Sequence, residues 1–204
     1  MVSGQEHPLS KGIFSSIGKP FQVKNWGTFL IDLTLDKETL WNNLDKNSAR
    51  KNIERSKRRG IYIKEMKSSD LPIYHKMLQA TKRKAKSDVE LYAVESLWKN
   101  LHPIGLTGFL SYENETPIGG ILISSFNNYI NEWGIARTER DTTAKLYSQD
   151  LLKWNIIEWG MKNNHFFYDL SGVNPNSTSA KDSGIFRYKE KWGGKYLKFQ
   201  ICAL

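Results

Sequence analysis

The chain contains one cysteine, Cys202, and four histidines among 204 residues. A lone thiol excludes an intramolecular disulfide, and the scattered histidines form no cluster with zinc-ligand spacing. Neither a metal nor any other cofactor is expected. The sequence also lacks a run of about eighteen apolar residues, the length that spans a bilayer. Its opening stretch, MVSGQEHPLSKGIFSSIGKP, lacks the apolar centre of a signal peptide. A soluble, cytoplasmic protein with no integral membrane segment is therefore expected. Acidic residues are in deficit as well, 21 against 30 Lys and Arg, for a formal charge of +9. A field of that sign favours polyanions such as nucleic acid, phosphorylated metabolites or an anionic membrane surface.

What is present suits one packed core. Hydrophobic residues make up 39% of the chain, and seven Trp, nine Tyr and nine Phe are spread along its length, unlike a disordered segment. Residues 1–20 mix Gly, Ser, Pro and Lys without periodicity and are expected to be a flexible arm. Residues 21–204 are expected to form a single domain.

Apolar and β-branched content predicts a strand over 27–34, and Leu40, Trp41 and Leu44 recur at helical spacing behind Asp36, an N-cap candidate. A second helix is predicted from 48 to 59, stopped at Gly60. A strand over 61–66 follows, then a helix with Asp70 as its cap carrying Tyr74, Met77 and Leu78, and another over 89–101. Strands at 106–112, 117–126 and 129–136, joined by short Asn-rich links, read as antiparallel neighbours. A long helix is predicted over 143–163, a buried strand over 166–170, a helix over 180–192 and a closing strand over 196–203. From residue 61 this order resembles the GNAT acyltransferase fold, an α/β (α+β) arrangement of a mixed central sheet flanked by helices. That resemblance implies an active site where two central strands splay apart, and residues 21–60 become a basic extension to a core of 61–204.

The extension holds the most unusual stretch. Residues 48–60, SARKNIERSKRRG, contain six cations and one acid. On a regular helix Arg50, Glu54 and Lys57 share one face, and Lys51, Arg55 and Arg58 the next. Guanidinium forks in such rows suit phosphate oxygens. The segment resembles the signature of the Fem family of aminoacyl-tRNA-dependent transferases, with Arg50, Asn52, Ile53, Arg55, Lys57 and Gly60 in matching places and Glu54 where a second basic residue is usual. Tyr168-Asp169-Leu170-Ser171-Gly172 resembles the family's aromatic-Asp-Leu-Gly-Gly strand end. The stretch from Gly184 to Gly194 resembles its Phe-Lys, Phe-Gly-Gly element, with Tyr188-Lys189 as the aromatic-Lys pair.

The resemblance implies catalytic roles for Lys189 first and Asp169 second, with Arg50, Asn52, Arg55, Lys57 and Tyr188 binding substrate. Trp133 and Gly134, in the strand expected to splay, are candidates for the acyl pocket. It also implies an aminoacyl-tRNA donor and, as acceptor, an amine on an anionic, nucleotide- or lipid-linked cell-wall precursor. Fem proteins carry two such domains, whereas this chain has room for one. Either a homodimer or a partner subunit completes the acceptor cleft, or the acceptor is smaller and different; a dimer is the expectation. The residues also speak to the donor. An acetyl-CoA enzyme needs glycines before the long helix, where bare amides hold the pyrophosphate, but Leu146 and Ser148 stand there and no Gly occurs from 135 to 159. The alternatives are an N-acyltransferase using acyl-CoA or another small donor without that loop, and a non-catalytic basic module that binds RNA or a membrane surface.

Overall fold

The computed structural model describes residues 3–10, 22–83, 89–176 and 178–203. Eight strands form one sheet: β1 (Ser3–Gln5), β2 (Gln22–Asp32), β3 (Tyr62–Glu65), β4 (Leu106–Glu113), β5 (Thr116–Phe126), β6 (Tyr129–Arg137), β7 (Phe167–Val173) and β8 (Lys195–Ala203). Their spatial order is β1-β8-β2-β7-β6-β5-β4-β3. Every neighbouring pair is antiparallel except β6 and β7, so the sheet is mixed, as the sequence suggests.

Seven α-helices cover it: α1 (Lys37–Asn43), α2 (Lys51–Arg58), α3 (Leu71–Arg83), α4 (Leu91–Leu101), α5 (Glu139–Thr143), α6 (Ser148–Lys162) and α7 (Ala180–Glu190). Strand alternation divides the core between the two faces of the sheet. Phe109, Ile121 and Ile123 join α1, α2 and α6 in one cluster. Leu110 and Leu122, their immediate neighbours in sequence, join Tyr74, Met77, Val94 and Trp98 of α3 and α4 in the other. Helix α6 is buried almost all round because α2 covers the side turned away from the sheet.

Local chemistry explains most boundaries. Asp36 caps α1 by accepting from Thr39 N at 2.9 Å, and Gly60 ends α2 with φ +73°. The β4–β5 and β5–β6 links turn on Asn114-Glu115 and Asn127-Asn128, all four at positive φ, the conformation that two-residue hairpin turns require. Asp70 lies inside a 3₁₀ turn (Ser68–Asp70) and accepts from Lys67 N at 2.8 Å, so it braces the approach to α3 instead of capping it.

Three features depart from the sequence expectation. The segment expected to be a loose arm contributes β1, which pairs with β8; residues 11–20 of that arm lie outside the described residues. The stretch expected to extend the core supplies β2, which sits inside the sheet between β8 and β7. The long helix predicted from 143 begins only at Ser148, after the short helix α5 and a turn with Lys145 at φ +51° and Tyr147 at φ +60°.

Candidate functional site

Strands β6 and β7 pair over only three positions, Tyr129 with Phe167, Ile130 with Tyr168 and Asn131 with Asp169. Beyond them β6 continues along β5 to Arg137 and β7 along β2 to Val173. The sheet thus opens between its two parallel strands. The Ser171 hydroxyl bridges the start of the gap, donating to the Glu132 carbonyl at 3.0 Å.

One carboxylate ties the opening together. Glu132 of β6 accepts from the Tyr168 hydroxyl at 2.7 Å and is ion-paired with Lys153 of α6. All three are buried. Burial and the Glu132 charge push the Tyr168 phenol well above its usual range, so it stays a donor.

Beside this triad lies Lys189 of α7, 8% exposed. Its ammonium donates to the carbonyls of Ser171 at 3.0 Å and Gly172 at 2.9 Å and, among the described residues, forms no ion pair. A lysine has three N–H bonds, so one remains. Burial lowers its pKa to about 8; the charges of Glu132 and Asp169 act against that fall and Lys153 adds to it. Ser171, with φ +68°, turns its carbonyl to Lys189 while its N–H donates to Asp169 at 2.7 Å. Asp169 also accepts from the hydroxyls of Thr28 and Tyr129. Both its oxygens are occupied, which makes it an anchor for Ser171. The arrangement is that of a buried ammonium held at the mouth of a strand splay.

The fold resembles that of FemX. The chain superposes on it with a TM-score of 0.72 over 85% of this chain and 61% of that one, at 11% identity. It is similar also to L-PGS from Bacillus licheniformis, with a TM-score of 0.64, 93% and 62% coverage and 10% identity. A conserved protein of unknown function from Bacteroides thetaiotaomicron gives a TM-score of 0.62, 94% and 65% coverage and 10% identity. The chain thus spans about three fifths of the length of the solved chains it matches. No family model and no curated protein sequence matches it. A FemX-like fold is what these likenesses establish.

In this FemX-like frame a cavity of about 350 Å³ lies beside the splay, lined by residues of β6, the α5–α6 turn, the start of α6 and Tyr188. Asp141, 3% exposed, closes one side by accepting from Ser148 N, the first amide of α6, at 2.9 Å. The amide end that would hold a pyrophosphate already holds an internal carboxylate. Burial outweighs these bonds and pushes the Asp141 carboxyl upward. Asp150, ion-paired with Lys191, is pushed upward by burial too, against the pull of Lys191.

The substrate-binding candidates separate. Tyr188 lines the cavity, with the Lys191 ammonium 4.2 Å and the Lys153 ammonium 5.7 Å from its ring centre. Asn52 reaches Asp150 at 3.4 Å and Arg55 reaches the Tyr147 hydroxyl at 3.5 Å, so both brace the cavity wall. Arg50 donates to Asn42 at 3.3 Å while its Nε is buried without a partner, and Lys57 is exposed. A π-helical turn at Lys46–Arg50 precedes α2, so Arg50 does not belong to the regular face expected for it. Trp133 is the extra residue of a bulge, since Leu122 pairs with Gly134 and Ile123 with Glu132. It is 45% exposed. Gly134 exists for close packing: a Cβ there would stand 2.3 Å from the Tyr74 hydroxyl. Neither lines the cavity.

Sequence reasoning missed Glu132, Lys153, Asp141, Asp150 and Lys191. The signal for two of them was present, a charge at an inward position of an otherwise apolar run, Glu132 near Ile130 and Lys153 between Leu152 and Trp154. Lys191 is 11% exposed and paired with Asp150.

Proposed function

We propose that the protein is an aminoacyltransferase that moves an amino acid from aminoacyl-tRNA to an amine of a cell-wall-precursor-like acceptor. The observation that carries the choice of donor is Asp141 on the first amide of α6. A second anion there would meet a buried carboxylate, so acyl-CoA is disfavoured. The basic helix α2, anchored to the cavity wall through Arg55 and to the α5–α6 turn through Arg59, supplies the phosphate-binding surface that a tRNA acceptor end needs.

In the reaction the acceptor amine adds to the ester carbonyl, a C–N bond forms, and the C–O bond to the terminal ribose breaks as that oxygen takes up a proton. The intermediate is a tetrahedral oxyanion. Lys189, with one N–H free and its other two fixed on Ser171 and Gly172, is the group that stabilises it. Asp169 and Ser171 position that ammonium. Lys57 and Arg50 contribute to tRNA affinity, and a second copy or a partner subunit completes the acceptor cleft.

The deciding experiment offers the purified protein a pool of charged tRNAs together with a lysine-containing muropeptide precursor or with phosphatidylglycerol vesicles, and separately acetyl-CoA with polyamines. Amide formation on the muropeptide from charged tRNA is the expected result. Transfer to the lipid keeps the donor and replaces the acceptor, an outcome that the likeness to L-PGS makes worth measuring. Acetylation from acetyl-CoA alone overturns the proposal.

A further inference from the structure

The cavity wall offers more hydrogen-bond acceptors than the protein has donors for them. Gln149 is 6% exposed; its amide nitrogen donates to the Ala136 carbonyl at 2.9 Å, but Oε1 is buried without a partner. The Tyr188 hydroxyl is also buried and unpartnered. Asp150 spends Oδ1 on Lys191 and leaves Oδ2 with only the long 3.4 Å contact from Asn52. All three residues line the same cavity, as does Asp141.

Buried acceptors without donors are costly, and a ligand that brings N–H groups relieves them. Both carboxylates already have a cation partner, Asp150 in Lys191 and Asp141 in Arg137 at 4.0 Å, so it is the acceptors left over, not a free negative charge, that a ligand rich in N–H groups would meet. Of the cations that line the cavity, Lys145 is exposed, and Arg137, exposed as well, also reaches Asp141 at 4.0 Å. The distribution is a basic rim around an acceptor-rich interior.

We propose that this cavity is a subsite for a primary ammonium group, with Gln149 Oε1, the Tyr188 hydroxyl and the Asp150 carboxylate as its acceptors. The assignment rests on the transferase function proposed above, in which two ammonium groups meet, the α-amino group of the aminoacyl donor and the amine of the acceptor. A volume of about 350 Å³ admits an amino acid and excludes a folded peptide. It also makes the interior selective for the free amine, because an N-acylated amino acid loses the charge and all but one N–H.

Binding can be measured without turnover. The donor probe is 3′-deoxy-3′-(L-alanylamido)adenosine, whose amide link cannot be transferred, compared with its N-acetyl derivative. The acceptor probe is cadaverine, compared with pentane-1,5-diol. By calorimetry at least one amine should bind about tenfold more tightly than its neutral counterpart, the worth of a charge-assisted hydrogen bond. Tyr188→Phe, which keeps the ring, and Gln149→Met should each remove most of that preference, with circular dichroism confirming that the variants fold. Preference confined to the adenosine probe gives the subsite to the donor; preference confined to cadaverine gives it to the acceptor. Both results uphold an ammonium subsite. Equal affinity for charged and neutral probes in the unmodified protein, or an undiminished preference in both folded variants, overturns it. A protein that prefers amines yet transfers nothing from charged tRNA keeps the subsite and loses the proposed function; one that transfers but binds neither amine better than its neutral counterpart does the reverse.

Discussion

Lys153 and Lys189 are both buried and both near Glu132, yet they are held differently. Lys153 is paired directly with a carboxylate that also takes the Tyr168 hydroxyl. Lys189 rests on two carbonyl dipoles and has no carboxylate in contact. Full neutralisation turns a buried charge into a structural tie, whereas partial compensation leaves a field and a free donor at the surface of a gap. Burial alone therefore does not mark the functional lysine; the kind of partner does.

The comparison can be broken first at Lys153. Lys153→Met strands Glu132 without its counter-charge and should cost about 3–5 kcal/mol of stability, read as a large drop in the denaturant midpoint. The double variant Lys153→Met/Glu132→Gln should regain much of it. Lys189→Met should instead leave the midpoint nearly unchanged and lower turnover by roughly 100- to 1,000-fold, as the loss of one oxyanion donor does. Lys181, exposed on the same helix, is the matched control and should be silent. Equal behaviour of the Lys181 and Lys189 variants at saturating substrates removes the catalytic assignment.

The contrast sharpens with pH. The Lys189 pKa is lowered to about 8, so its ammonium is lost as pH rises through 8, and turnover that depends on the charge should fall to roughly a tenth by pH 9. A rise over that interval would mean that the neutral amine acts as a base. The stability effect has the opposite sign. The unfolded lysine holds its proton up to 10.5, so between 8 and 10.5 the unfolded state binds more protons and this group's contribution grows more favourable with pH. The smallest effect concerns the basic helix. Replacing Arg50 and Lys57 together by Ala should flatten the salt dependence of tRNA binding by about 1.5 in log–log slope, for two phosphate contacts. An unchanged slope leaves α2 as a brace for the cavity wall and nothing more.

The fold was legible where local chemistry and long-range packing agree. The Asn-centred hairpins, the Asp36 cap and the Gly60 stop each carry their cause in a few adjacent residues, and α3 shows its buried face through Tyr74, Met77 and Leu78. The break between α5 and α6 was hidden because Leu146 lies at helical spacing from its neighbours. Its N–H bonds to the Asp141 carbonyl, and the turn takes positive φ at Lys145 and Tyr147 without a glycine to announce it. Lys189 and Asp169 were reached by resemblance, but the Glu132 triad depends on which strands part, and register between distant segments is not written in either one. Trp133 and Gly134 suggested a pocket by their place in the strand expected to splay; a bulge at Trp133 and the close approach of Tyr74 to Gly134 are features of pairing and packing that the sequence does not show.

The internal position of β2 also bears on how the chain is made. Its partners on both sides, β7 and β8, come from the last part of the sequence, so during synthesis β2 leaves the ribosome long before either exists. Until then an eleven-residue strand with Phe29, Leu30 and Ile31 has neither edge satisfied, a species prone to mispairing. The sheet can close only once translation has passed β8, which makes assembly late and dominated by contacts distant in sequence. Nascent chains arrested before β7 should consequently remain open to protease at β2, even though β4, β5 and β6 have already met as hairpins.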